Sequence, residues 1–258
     1  MATVQFKVFR GDKSGGALQD YPVEAQEGMV VLDAIHQIQA TQAPDLACRW
    51  NCKAGKCGSC GAEVNGKPKL MCMTRLDELD TSQPVTVRPM RTFPVIRDLA
   101  TDVSWNYEVN KRITPFSPAP NTDWRMQQED VDRVQEFRKC IECFLCQNVC
   151  HVLREHDEKT GFIGPRFLVR VASLEMHPLD TANRLPMLKD AGGIGYCNIT
   201  KCCTEVCPEH IHITDNAIIP LKERVVDEYY DPVLSFFRRL FGTKKRPVSD
   251  AGGQAADD

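Results

Sequence analysis

The 13 cysteines of this chain fall into three short segments, and this clustering limits its possible folds more than any other feature. The segments cover residues 48–72, 140–150 and 197–207 of 258. The first residues carry no apolar stretch typical of a secretory signal, so we expect a reducing compartment. Clustered cysteines in such a compartment indicate metal ligands, whereas disulfide frameworks are typical of short secreted chains.

The first segment reads "CRWNCKAGKCGSCGAEVNGKPKLMC". Cys52, Cys57 and Cys60 follow the C-x4-C-x2-C spacing of plant-type [2Fe–2S] ferredoxins, with Cys72 as the distant fourth ligand. The intervening glycines allow positive φ angles and bring backbone N–H groups close to sulfur, which offsets the negative charge of a cluster. The alternative is structural zinc, which usually shows paired C-x2-C units with less glycine. Cys48 lies outside the spacing and is interpreted as a spare, buried thiol.

The second segment, "CIECFLCQNVC", places four cysteines at the spacing of bacterial two-cluster ferredoxins. In that pattern the fourth cysteine ligates the other cluster. We therefore predict a [4Fe–4S] cluster on Cys140, Cys143, Cys146 and Cys207, the last being the final cysteine of the third segment. Cys150 is predicted to cross over to the remaining cluster.

The third segment, "GYCNITKCCTEVCP", follows the same pattern but has Thr200 where a cysteine is expected. The second cluster of the pair is left with three thiolates, from Cys150, Cys197 and Cys203. A cubane without a corner ligand readily lacks the corner iron, so we predict [3Fe–4S]. The alternative is a [4Fe–4S] cluster with Cys202 as fourth ligand, which requires adjacent side chains to face one cluster.

Residue patterns predict an α+β chain. Alternating apolar residues predict strands over 3–10, 20–26 and 84–90, and helical spacing predicts a helix over 30–41. Residues 110–124 are rich in proline and predict a linker. Helices are predicted from residue 127 into the second cysteine segment, over 165–176, and over 216–231 with a kink at Pro220.

Composition and motifs exclude several functions. The net charge is −3 and the basic residues are scattered, so no nucleic-acid binding is expected. The chain contains no run of about 18 apolar residues, so no membrane span is predicted. The chain has no GxGxxG, P-loop or nucleophile elbow, and its histidines do not group. We therefore predict an electron carrier without catalytic residues of its own.

The motifs "NCKAGKCGSC", "CIECFLCQNVC" and "CCTEVCP", with the bridge "RPMRTFPVIRDLATDVSWNY", resemble the iron–sulfur subunits of succinate dehydrogenase and fumarate reductase over nearly the whole chain. The resemblance implies a β-grasp [2Fe–2S] ferredoxin domain over 1–105 and an all-α helical ferredoxin domain over 106–243. Composition predicts a disordered tail over 244–258.

The family resemblance also implies partners. In that family a flavoprotein subunit with FAD oxidises succinate, and electrons pass through [2Fe–2S], [4Fe–4S] and [3Fe–4S] clusters to quinone at a transmembrane anchor subunit. It implies peripheral attachment to the cytoplasmic face of a bacterial cell membrane. The apolar, basic segment from Phe236 to Phe241 is expected to rest against the anchor or lipid headgroups, or alternatively against its own domain.

The sequence departs from the family around the expected quinone site. His151 replaces the usual proline, "HVLREHD" lacks the usual tryptophan pair, and Asn198 occupies the position of the quinone-side histidine. The family's quinone-pocket residues are therefore not assigned to positions of this chain. Alternatives that remain open are a fumarate reductase subunit, a subunit of another respiratory dehydrogenase, a free-standing ferredoxin and a zinc-structured interaction protein.

Overall fold

The computed structural model describes residues 2–155, 161–233 and 240. The predicted tail over 244–258 lies outside these residues, as does the Phe236–Phe241 segment apart from Leu240. The backbone forms two compact units, each described by itself below. The first unit comprises Met1–Ser104, Cys140–Glu155 and Cys202–His210, and the second comprises Trp105–Lys139, His156–Lys201 and Ile211–Asp258. The boundary at residue 105 between two ferredoxin domains stays a prediction.

A mixed sheet is the framework of the first unit. Its strands are β1 (Ala2–Asp12), β2 (Gly15–Ala25), β3 (Gly61–Val64), β4 (Lys67–Leu70), β5 (Val85–Arg88), β6 (Val95–Arg97) and β7 (Ala100–Thr101). The strand order is β4-β3-β5-β1-β6-β7, and β2 also pairs with β1. The β1–β5 pair is parallel and the other pairs are antiparallel. The strands predicted over 3–10, 20–26 and 84–90 correspond to β1, β2 and β5.

The core of the sheet follows from the two-residue period of β1. Val4, Phe6 and Val8 are buried, whereas Gln5 between them is exposed and Lys7 is half-buried. Helix α1 (Val31–Thr41) covers the sheet with a face whose buried residues recur at helical spacing. This helix agrees with the one predicted over 30–41.

The β3–β4 hairpin was missed in the sequence-based prediction. Its turn is formed by Asn65 and Gly66, with φ angles of +48° and +76°. Asn-Gly is the strongest short signal for a two-residue hairpin turn, because both positions require positive φ. The signal was therefore present, although it stands inside a segment whose cysteines dominate the pattern.

Three short helices of the first unit carry cysteines or follow them: α4 (Leu145–Val149), α5 (His151–Glu155) and α8 (Cys202–Glu205). The second unit contains α2 (Ser104–Lys111, whose first residue belongs to the first unit), α3 (Gln128–Gln135), α6 (Pro165–Glu175), α7 (Leu185–Lys189) and α9 (Ile219–Tyr229). Among these, α6 agrees with the helix predicted over 165–176. Helix α3 agrees with the start predicted at residue 127, but it ends at Gln135, so the predicted continuation into the second cysteine segment is wrong.

The kink expected at Pro220 coincides with a change of helix type. A π-helical stretch over Ile213–Ile218 ends there, and Pro220 occupies the first turn of α9. Proline has no N–H to donate to the preceding helical turn, so the series of helical hydrogen bonds is interrupted where the helix type changes. The proline therefore marks the start of α9.

Part of the predicted linker over residues 110–124 is hydrogen-bonded to a buried arginine. Arg184 donates from Nε to the carbonyl oxygen of Thr114 at 2.9 Å and from Nη2 to that of Pro115 at 2.8 Å. The same guanidinium pairs with Asp180 at 2.8 Å, and all of its side chain is buried. The backbone after α2 is thus fixed by a side chain that follows it by about 70 residues.

Candidate iron–sulfur sites

The first cysteine loop surrounds sulfur with backbone donors. Cys52 Sγ accepts from the N–H groups of Ala54 and Lys56, both at 3.3 Å, and Cys57 Sγ accepts from the N–H of Cys52 at 3.5 Å. The loop can turn its amides inward because Lys53 and Gly55 adopt φ angles of +56° and +67°. Donors of this kind stabilise negative charge on sulfur, which fits a cluster held by thiolates.

The four thiols predicted for the first cluster form one connected group. The Ser59 hydroxyl donates to Cys57 and, with backbone N–H groups, lowers the pKa of Cys57 to about 6. Burial raises the pKa of Cys60 to about 12, and the neighbouring Cys72 and Cys57 add to this as negative charges. Bound iron would offset that repulsion, so the donor set fits an iron–sulfur cluster. Ser59 was missed in the sequence analysis, and only its place inside the ligand spacing could have indicated it.

Cys207 lies beside the second cysteine segment, although more than 50 residues separate them. Burial raises the pKa of Cys143 to about 12, with negative charge on Cys140 and Cys207 contributing. Burial also raises the pKa of Cys146, and Cys143, Cys140, Cys203 and Cys207 contribute as charges. The four thiols predicted to hold [4Fe–4S] are thus neighbours within the first unit, and their ligation of one cluster stays a prediction.

The backbone around Thr200 repeats the backbone around Cys143. Glu142 and Phe144, on either side of Cys143, have φ angles of +57° and +60°. Ile199 and Lys201, on either side of Thr200, have φ angles of +61° and +62°. Non-glycine residues are uncommon in this region, so two such pairs indicate one local motif used twice. Thr200 therefore occupies the position that Cys143 occupies in the other copy.

The remaining cysteines differ in their surroundings. Cys150 and Cys203 are buried in the first unit, while Cys197 is half-buried in the second, and Lys222 donates from Nζ to its carbonyl oxygen at 2.5 Å. Cys202 is half-buried at the start of α8. The assignment of Cys150, Cys197 and Cys203 to [3Fe–4S] stays a prediction.

Cys48, interpreted from the sequence as a buried spare thiol, is half-buried. It lies within reach of the Arg49 carbonyl oxygen, at 3.6 Å. Burial raises the pKa of the Cys48 thiol to about 12. The protonated form is therefore favoured at neutral pH, and the interpretation of Cys48 as a spare thiol stays a prediction.

The first two cysteine loops meet at main-chain level. A Cβ placed on Gly58 would lie 2.6 Å from Cys143 Cα and 2.9 Å from its nitrogen. Gly58 stands between Cys57 and Cys60, so a predicted ligand loop of [2Fe–2S] touches a predicted ligand of [4Fe–4S]. On the other side of the loop, Cys52 and Trp50 are exposed, and the Lys53 ammonium lies 4.8 Å from the Trp50 ring centre.

Two family models match separate parts of the chain. A 2Fe-2S iron-sulfur cluster binding domain matches residues 5–108, and a 4Fe-4S dicluster domain matches residues 136–211. Together with the mixed sheet and the helical cysteine segments, they define an α+β iron–sulfur protein of the ferredoxin type, as predicted.

Similar proteins indicate which family of iron–sulfur proteins this chain belongs to. A chain of the Mycobacterium smegmatis Sdh1 complex in the apo form is 64% identical with a TM-score of 0.87, covering 90% of this chain and 98% of that one. The succinate dehydrogenase iron-sulfur subunit of Bacillus subtilis is 27% identical over 94% of this chain and 98% of its own length. The chain spans only 45% of a fumarate reductase (CoM/CoB) subunit from Methanothermobacter marburgensis, which is 31% identical over 91% of this chain.

The chain therefore belongs to the family of iron–sulfur subunits of succinate dehydrogenase and fumarate reductase. This confirms the family resemblance. Such subunits carry electrons within an oxidoreductase complex. Within the described part of the chain, no helix combines the length and apolar character that crossing a membrane requires.

Proposed function

We propose that this chain is the electron-transfer subunit of a succinate dehydrogenase. It carries electrons from a FAD-containing flavoprotein subunit to quinone at a transmembrane anchor subunit, on the cytoplasmic face of the cell membrane. Bound [2Fe–2S], [4Fe–4S] and [3Fe–4S] clusters supply one-electron redox chemistry. The chain holds these clusters in series and orients them between two-electron partners.

The contact between Gly58 and Cys143 carries this proposal. It joins the loop of Cys52, Cys57 and Cys60 to the group of thiols that includes Cys207. Two groups of four thiols whose loops touch at the main chain favour electron exchange. A protein that only binds other proteins would have no evident use for this arrangement. The 64% identity with a chain of the Sdh1 complex supports succinate oxidation as the reaction served.

The repeated backbone motif supports the third cluster. In the second copy of the motif, Thr200 stands at the position that Cys143 occupies in the first. The second copy therefore lacks a thiolate at a position where the first copy has a predicted ligand. A threonine hydroxyl is a poor substitute for thiolate toward iron–sulfur clusters. Three ligands, Cys150, Cys197 and Cys203, then favour a cluster with three irons.

Fumarate reduction is the second candidate. Fumarate reductase iron–sulfur subunits from Mycobacterium tuberculosis and Escherichia coli are each 31% identical to this chain. The same series of clusters serves both directions, so the reduction potentials decide between them. Potentials that rise from the flavin side to the quinone side favour succinate oxidation.

The test is purification of the native complex, followed by metal analysis and electron spin resonance. We expect about nine irons per copy of the chain, from clusters of two, four and three irons. We also expect co-purifying FAD and succinate-dependent quinone reduction. Zinc in place of iron at Cys52, Cys57, Cys60 and Cys72, or a chain that purifies alone in fully active form, would contradict the proposal.

A matched pair of variants tests the third ligand set. Cys203→Ser should abolish the low-field signal of an oxidised three-iron cluster, because it removes a predicted ligand. Cys202→Ser, one position away, should leave that signal intact. A wild type that lacks this signal, with the signal appearing in Cys202→Ser, would instead support the alternative with Cys202 as a fourth ligand.

A further inference from the structure

Two separate features require glycine at position 58. Its φ angle is +69°, a region in which residues with a side chain are strained. In addition, a Cβ would lie 2.6 Å from Cys143 Cα, which is 0.8 Å inside the 3.4 Å at which ordinary van der Waals contact begins. Because the opposing atoms belong to the main chain of Cys143, no side-chain rotation can relieve that overlap.

The segment that carries Cys143 is itself held in place. The Phe144 ring packs edge-on against Phe93, with ring centres 6.3 Å apart. Further along α4, at Asn148, the side chain donates to the buried carboxylate of Glu63 at 2.9 Å. A side chain at position 58 would therefore have to move one loop away from the other against this packing.

We propose that Gly58 is a positioning residue that sets the separation of the first two clusters and hence the rate of electron exchange between them. The inference rests on the proposed function, since it takes Cys57, Cys60 and Cys143 as cluster ligands. One electron leaves the reduced [2Fe–2S] group and enters the oxidised [4Fe–4S] group, and no bond or proton changes place. Electron exchange falls steeply with distance, so a shift of under 1 Å is measurable.

Gly28 provides the matched control. Its φ angle is +75°, so Gly28→Ala introduces comparable backbone strain, but outside the three cysteine segments. Apart from its chain neighbours, no heavy atom lies within 4 Å of the Cβ that this variant adds. Of the two variants, only Gly58→Ala brings a Cβ against the main chain of Cys143.

The experiment compares both variants in the native complex. The readouts are the rate at which the [4Fe–4S] group is reduced after the [2Fe–2S] group, by rapid-freeze spin resonance, and the enhancement of [2Fe–2S] spin relaxation by reduced [4Fe–4S]. We expect Gly58→Ala to slow the transfer several-fold and weaken the spin interaction, with iron content and both potentials unchanged. Gly28→Ala should match the wild type in both readouts.

Wild-type transfer and spin interaction in Gly58→Ala would overturn the inference, as would equal losses in the two variants. If Gly58→Ala does not assemble, Gly58→Asn brings the same Cβ with a residue that tolerates positive φ, and the same slowing is expected. A wild-type complex without [2Fe–2S] and [4Fe–4S] signals would instead contradict the proposed function, so the two failures are distinguishable.

Discussion

The carboxylate of Glu63 accepts a hydrogen bond from Asn148 Nδ2 at 2.9 Å, and this buried contact joins strand β3 to the cysteine-bearing helix α4. Arg91 also binds the carboxylate, at 2.8 Å from Nε and 2.6 Å from Nη2, and Arg154 approaches it at 3.3 Å. Asn148 in turn accepts from the Thr92 N–H at 3.1 Å. One buried charge thus organises residues from distant parts of the sequence.

Removal of this carboxylate should destabilise the first unit. Glu63→Ala leaves the buried Asn148 amide without this acceptor, whereas the Arg91 side chain is 54% exposed and can turn to water. We therefore expect a loss of about 1–3 kcal/mol. Glu63→Gln keeps the shape and part of the hydrogen bonding and should lose less. Denaturant midpoints measure both, with the exposed Glu24→Gln as control. Equal midpoints for Glu63→Ala and Glu24→Gln would contradict the role assigned to the network.

Thr200→Cys should convert the third cluster to four irons. The substitution places a thiolate at the position that Cys143 occupies in the other copy of the motif. Cluster type is one of the terms that set the reduction potential, and we expect the four-iron cluster to be harder to reduce. Each ~59 mV of decrease lowers the one-electron equilibrium constant tenfold. We expect slower quinone reduction with retained succinate oxidation by an acceptor that takes electrons upstream. A wild type without the low-field signal of a three-iron cluster, whose spectrum Thr200→Cys leaves unchanged, would show that another residue already completes the cluster.

Arg184→Met should destabilise the second unit. The arginine side chain is fully buried between Asp180 at 2.8 Å and Glu175 at 3.7 Å, and methionine of similar volume would leave two buried carboxylates without this partner. Loss of a partner from a buried ion pair costs about 3–5 kcal/mol. Thermal melting of the variant tests this, with the exposed Arg170→Met on α6 as control. A wild-type melting temperature in Arg184→Met would contradict the prediction.

Glu136 should contribute stability that depends on pH. Burial opposes its ionisation, but hydrogen bonds from the N–H and Nδ1 of His212 and from Asn216 outweigh burial and lower the pKa of Glu136 below 4.5. A carboxyl group with a lowered pKa stabilises the fold above its unfolded-state pKa. That contribution disappears as the pH falls through the folded-state pKa.

The matching variant is Glu136→Gln. Near pH 7 we expect it to be less stable than the wild type by about 1.5–3 kcal/mol, the scale of hydrogen bonds to a charged group. The difference should shrink as the pH drops below about 4.5, where the wild-type carboxylate becomes protonated. Midpoints measured across this range, with the exposed Glu129→Gln as control, test the prediction. A difference that grows toward acid pH would contradict it.

Local sequence features determined much of this protein. The C-x4-C-x2-C and C-x2-C-x2-C-x3-C spacings pointed to the iron–sulfur class, which the family models confirm, because ligand spacing is a property of a short backbone segment. Likewise, the alternation of Val4, Phe6 and Val8 predicted β1, and helical spacing predicted α1, because side-chain periods of 2 and 3.6 follow from backbone geometry alone.

Tertiary structure decided the relations between segments. The cysteine spacing predicted that Cys207 and Cys143 bind the same cluster, but only the fold places their thiols close together. Glycine is needed at position 58 because the main chain of Cys143, 85 residues later in the sequence, comes close to it. No local sequence pattern predicts this contact. The buried charges of Glu63 and Arg184 look like ordinary polar residues in the sequence. Their partners are brought together by packing of distant segments, and that packing is what makes a buried charge favourable here.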